Sequence, residues 1–243
     1  MGGAFISLQI SRWVAKKIMS VQVIDPNNPG QYGPLVNMMK RVCQSAGLNK
    51  LPEIGVYQSN EPNAFATGPS KSRSLVAFSS GLLNSMNDQE IEGVAAHEVA
   101  HIQNGDMVTM TLLQGVMNAF VMFFARIIAF AVSQNVKEES RYMVTLLVTF
   151  ALEMLLGILG MMVVASFSRY REFRADAGAA RYSGREKMVA ALKKLGTMSG
   201  RLEPEAHASI AALKINGQPS KFLALFSTHP PLADRIRKLE TNS

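Results

Sequence analysis

Two long apolar blocks constrain the fold of this 243-residue chain more than any other feature. Residues 107–133 and 142–168 are 27 residues each and carry one charge apiece, Arg126 and Glu153. About 20 apolar residues suffice to cross the hydrocarbon core, so each block is long enough to span a bilayer with some tilt. A soluble alternative, a buried helical hairpin, would need a larger core than the remaining chain supplies. Composition points the same way, because 18% charged residues is low for a soluble domain of this length. Arg126 and Glu153 are costly at membrane depth and are expected to face protein, to pair, or to snorkel.

The first block is preceded closely by His97-Glu98-Val99-Ala100-His101. Residues at i and i+4 share a helix face, so both imidazoles can reach one metal ion. Glu98 is rotated about 100° around the helix, away from that coordination position but within reach of a water on the ion. A zinc ion beside a carboxylate base is the apparatus of metal-assisted peptide hydrolysis. The alternative for the pair is a polar helix with ordinary hydrogen bonds; the chain has only two other histidines, His207 and His229.

A catalytic zinc usually takes three protein ligands. The stretch just after the second block offers Glu172 and Asp176, again at i and i+4. One carboxylate is suited to ligate, while the other accepts the remaining N–H of a ligating histidine. Alone, the two would more simply pair with Arg169, Arg171 and Arg174 on a solvated helix. Coupled to the His-Glu pair, the ligand reading wins. Residues that meet at one ion must lie on one side of the membrane, which requires an even number of crossings between them, and the chain supplies two. Short gaps on both sides would hold the ion within roughly 10 Å of the bilayer surface at about 1.5 Å per helical residue. Between Arg169 and Lys194 eight basic residues face three acidic ones. Such a Lys/Arg excess beside a span marks the cytoplasmic side and leaves the loop 134–141 outside. The net charge of +7 then needs only anionic inner-leaflet lipid, and no basic, aromatic-interleaved motif argues for nucleic acid. The single Cys43 allows no intrachain disulfide and reads as a small hydrophobe on a helix.

Four motifs in order resemble the HtpX family of bacterial membrane zinc metalloproteases, which is related to the CAAX prenyl proteases. They are Asn63-Ala64-Phe65-Ala66-Thr67-Gly68, the run from Ala96 to Met110 around the two histidines, Arg171-Glu172-Phe173-Arg174-Ala175-Asp176-Ala177-Gly178, and Thr228-His229-Pro230-Pro231-Leu232. The resemblance covers nearly the whole chain. It implies one Zn2+ per chain held by His97, His101 and Glu172, with Glu98 as general base and Asp176 supporting the ligands from behind. It also implies that Asn63 opens a strand beside the cleft, along which an extended substrate adds as a further strand. His229 would approach the site to stabilise the developing oxyanion or to act as an inhibitory fourth ligand; a surface histidine at a helix start is its plainer reading. The implied fold is mainly α with a small β-sheet, a zincin-like metalloprotease domain interrupted by a transmembrane helical hairpin. The implied substrates are misfolded or damaged membrane proteins, cut on the cytoplasmic side of the bacterial inner membrane. Two other readings stay open at this point, a non-proteolytic adaptor with structural zinc and a selective protease for lipid-modified peptides.

The organisation follows as an anchor segment over 1–20, a first catalytic part over 21–106, the hairpin over 107–168, and a second catalytic part over 169–243. Residues 5–10 are apolar and precede Arg12, Trp13, Lys16 and Lys17, an interfacial anchor too short to span. Family members begin with a pair of membrane helices, so the resemblance implies that this segment is the tail of the second. Helices are expected over 35–46, 184–195, 220–226 and 232–239, with short strands over 54–58, 65–67 and 75–79. Asn87-Asp88-Gln89-Glu90 resembles a capping box opening the histidine helix. Residues 215–221, with Asn216-Gly217 and Pro219, read as a mobile loop, and His207 as structural or exposed.

Overall fold

The computed structural model of the protein describes residues 2–206 and 225–241. His207, the loop 215–221 and most of the helix expected over 220–226 lie outside these residues. The rest is mainly α with one four-stranded sheet.

The chain opens with α1 (Gly2–Ile18), whose Arg12 and Lys16 pair with Glu53. Helix α2 (Gly33–Ser45) starts with a proline in its first turn, which pre-sets φ where no N–H is needed. It buries Leu35, Val36, Met38, Met39, Val42 and Cys43, a single helical stripe. Gly47 follows at φ +69°, a left-handed conformation that ends the helix at little cost for glycine. Burial pushes the Cys43 thiol up to about 12, which suits an inert core residue.

Strands β1 (Gln22–Val23), β2 (Glu53–Tyr57), β3 (Ala64–Ser70) and β4 (Arg73–Ser79) lie in the order β1-β2-β4-β3. The central pair β2–β4 is parallel, with Gly55 opposite Ala77, and it is buried on both faces. That explains its unbroken apolar runs. Strand β3 pairs antiparallel with β4 only and runs beside α4 and α1. Strands β3 and β4 are each longer than the sequence expectation, because their outer residues, such as Gly68 and Pro69, carry weak strand signals.

A short helix α3 (Ser80–Ser85) leads into α4 (Asp88–Asn104), which carries both motif histidines. Asn87 and Glu90 form the full capping box, at 3.0 and 2.9 Å. Gly105, left-handed at φ +72°, closes α4, and the next residue already opens α5 (Asp106–Ser133). After a four-residue loop, α6 (Glu138–Ser183) runs unbroken for 46 residues. Glu172 and Asp176, expected on a second helix facing the histidine helix, lie on the continuation of the second apolar helix itself, since no Gly-Pro or cap signal interrupts it. At about 1.5 Å per residue α6 reaches roughly 70 Å, twice the hydrocarbon thickness, and the third of it beyond its apolar block, residues 169–183, projects into the domain. Helices α7 (Arg185–Ala206) and α8 (Leu232–Thr241) pack against that projecting end.

The two apolar helices meet through small residues, Ala125, Ala129 and Gly160, which allow close approach. Their large side chains point outward: Phe120, Phe123 and Phe130 on α5, and Leu147, Phe150 and Leu155 on α6, are all more than half exposed. Such a face is stable in hydrocarbon and not in water. Among the described residues no ion pair joins Arg126 to Glu153; Arg126 lies two turns from the loop end of α5, close enough to snorkel.

Candidate metal centre

Helix α4 presents His97 and His101 on one face, and α6 crosses it to bring Glu172 opposite them. Their approach is tight. A side chain at Gly178 of α6 would meet Ala100 Cβ at 2.9 Å, so only glycine fits between the helices there. The two Nε2 atoms lie 3.1 Å apart. Glu172 Oε2 is 3.5 Å from His97 Nε2, and Oε1 is 3.3 Å from His101 Nε2. A tetrahedral ion with bonds of about 2.1 Å separates its donors by roughly 3.4 Å. These three residues are the one cluster of candidate metal donors among the described residues, and all three are buried. The donor set fits a zinc-like ion, because two neutral imidazoles and one carboxylate aim their lone pairs at a common point.

The far side of each imidazole fixes that aim. His97 Nδ1 stands 3.0 Å from Asp176 Oδ1, and His101 Nδ1 stands 2.7 Å from Asp106 Oδ2. A carboxylate at Nδ1 selects the tautomer whose proton is there and whose Nε2 is free to ligate. Each carboxylate is anchored in turn. Arg235 of α8 donates to both oxygens of Asp176, through Nε at 2.8 Å and Nη2 at 2.6 Å. Arg174 donates from Nη2 to Asp106 Oδ1 at 2.6 Å.

Electrostatics in the metal-free centre follow from this geometry. Burial alone would lower the pKa of His97, but hydrogen bonds to Asp176 and Glu172 outweigh it and push it up to about 9. Burial likewise opposes ionisation of Glu172, yet its bonds to His101, His229 and His97 hold its carboxyl well below the usual range. Glu98 is different. Burial raises its pKa, and its carboxylate accepts the backbone N–H of Ala66 on the edge strand β3.

His229 Nδ1 lies 3.1 Å from Glu172 Oε2, with most of its side chain exposed. Its segment is tied to α6 by Arg169, whose Nη1 donates to the carbonyls of Leu225 and Ser227 at 3.1 and 2.7 Å. Asn63 sits exposed just before β3, its backbone paired to Ser79 in both directions at 2.9 Å. The structure thus brings His97, His101, Glu172, Asp176 and His229 together, with Glu98 between the cluster and β3. Asn63 lies three residues before the strand position that contacts Glu98. Sequence reasoning missed Asp106 and Arg235, and it gave Arg169 and Arg174 no role beyond charge. For Asp106 the one signal was an acid directly after a helix-ending Gly105; Arg235 has none, being one of several charges on an amphipathic helix.

Comparisons with known proteins identify the family. The profile of Peptidase family M48 matches residues 30–243. A Protease HtpX homolog of Bacillus licheniformis is 53% identical over 241 residues, covering 98% of this chain and 80% of that protein. Protease HtpX of Shewanella pealeana is 51% identical over 249 residues, covering 99% and 85%. The crystal structure of S. mikatae Ste24p superposes with a TM-score of 0.64 at 20% identity, covering 97% of this chain and 54% of that one. At that identity the likeness is one of fold, and this chain spans about half of the Ste24p chain. With the family profile across most of its length and relatives at half identity, the chain belongs to peptidase family M48, as a membrane metalloprotease of the HtpX type.

Proposed function

We propose that the chain is a zinc endopeptidase of the bacterial inner membrane that cuts misfolded or damaged membrane proteins at the cytoplasmic face. The observation that carries this reading is the convergence of His97 Nε2, His101 Nε2 and the Glu172 carboxylate, with Glu98 set to one side against the edge strand. Those three residues would hold the ion, and Asp176 would keep His97 in its ligating tautomer. A bound zinc ion supplies Lewis acidity toward the scissile carbonyl and acidifies water. Glu98 takes the proton of the attacking water on a carboxylate oxygen and returns it to the leaving amine. Its raised pKa helps it to hold that proton between the two steps. His229, exposed beside Glu172, would donate to the oxygen that gains charge. Strand β3 leaves its outer edge for a substrate strand that begins near Asn63, where main-chain pairing gives broad sequence tolerance.

Position supports this substrate class. Glu172 lies four residues past the second apolar block, about 6 Å along the helix, and Asp106 ends the other approach. A polypeptide displaced from the bilayer meets this centre first. The Lys/Arg excess over 169–194 supports a cytoplasmic centre, with residues 21–106 and 169–243 forming one catalytic domain around the hairpin. The test is co-reconstitution of the zinc-loaded protein in liposomes with a destabilised membrane protein and its folded parent. Cleavage confined to the destabilised form is expected; equal cleavage of both would overturn the quality-control reading.

A further inference from the structure

We propose that Asp106, anchored by Arg174, is the positioning residue for His101 and ties the metal centre to the membrane hairpin. The inference rests on the reading that His97, His101 and Glu172 hold a metal ion. Asp106 is the first residue of α5 and is fully buried, at 0% exposure. Arg174 stands on the projecting end of α6, so the two members of the ion pair belong to the two arms of the hairpin. One Asp106 oxygen accepts from His101 Nδ1 at 2.7 Å and the other from Arg174 at 2.6 Å. A carboxylate removed from water in this way needs a compensating cation, and Arg174, 43% exposed at its side chain, supplies it from the solvent side.

The consequence is specific to one ring. With Asp106 on Nδ1, the proton sits there and the Nε2 lone pair faces Glu172. Without it, the imidazole can turn about its Cβ–Cγ bond or carry its proton on Nε2, and either change removes a ligand. Helix α4 alone cannot prevent this, because it fixes the Cα and Cβ of His101 but not the ring. The arrangement mirrors Arg235–Asp176–His97, in which α8 supplies the arginine. Orientation of one ligand is therefore set by the C-terminal helix, and of the other by the packing of the membrane arms. A competing account has Asp106 merely complementing the positive N-terminus of α5. That role would alter stability and leave metal binding unchanged.

The experiment measures zinc affinity of the full metal-free chain in detergent by chelator competition, with the Co2+ absorption spectrum and the thermal unfolding of the metal-free form beside it. Asp106→Asn keeps the size and removes the charge. We expect it to weaken zinc binding about ten- to hundred-fold and to shift the Co2+ bands. Arg174→Gln should weaken binding in the same direction by a smaller factor, and the double variant should bind no worse than Asp106→Asn alone. Wild-type affinity and an unaltered Co2+ spectrum in Asp106→Asn would overturn the proposal. If that variant does not fold, wild-type affinity in folded Arg174→Gln overturns it equally. A His101→Ala control separates the two levels: if it binds zinc as tightly as wild type, the metal-site reading has failed, and not only the role of Asp106.

Discussion

Each imidazole of the candidate centre has a carboxylate behind it, and each carboxylate has an arginine behind it. At this scale the energetics are those of buried charge, where removing one partner costs far more than the pair contributes. Arg235, at 7% exposure, binds Asp176 through two hydrogen bonds. Arg235→Met should lower the Tm of the detergent-solubilised protein by about 10 °C, corresponding to roughly 3 kcal/mol for a stranded carboxylate. An unchanged Tm would show that Asp176 needs no cation. Protonation gives a second prediction. The pKa of His97 in the metal-free centre rises from 6.5 to about 9, so its contribution to stability is complete below the lower value and is lost as pH climbs through the higher. The metal-free protein should therefore lose stability across that window, and zinc uptake near pH 7.5 should release at least one proton. Calorimetric titration in buffers of different ionisation heat reads that release directly, and zero protons would contradict the geometry. Spacing alone made His97 and His101 readable as neighbours, because i and i+4 share a helix face. Asp106 and Arg235 were not readable, since their partners come from contacts 5 and 59 residues away that leave no periodic trace.

Among the elements, α4 is the reference against which everything else is set. Its start was legible in full, because a capping box is a local four-residue pattern with its own hydrogen bonds. Its neighbours were less so. Strand ends follow pairing registers that a single chain does not display. Close helix contacts then fix the site. A Cβ at Gly93 of α4 would meet the Lys187 carbonyl of α7 at 2.4 Å, and that carbonyl is backbone. Gly93→Ala should destabilise by about 1–3 kcal/mol, since α4 and α7 must separate. Thermal unfolding would detect it, and a neutral outcome would mean that the α4–α7 packing tolerates slack.

For the whole molecule, the hairpin solves one geometric problem. It leaves the centre after His101 and returns to it at Glu172, so two distant stretches of chain meet at one point. The apolar blocks made this topology legible from composition and length alone. The proposed base, Glu98, lies on α4 between the two histidines of the candidate centre. The direct test is cleavage of an unfolded protein by the zinc-loaded chain in detergent, beside Glu98→Gln with its zinc content matched. Wild-type cleavage, with a loss of about 10²-fold or more in the variant at equal zinc, is the predicted result. Equal cleavage by both proteins would contradict it and remove Glu98 from the mechanism.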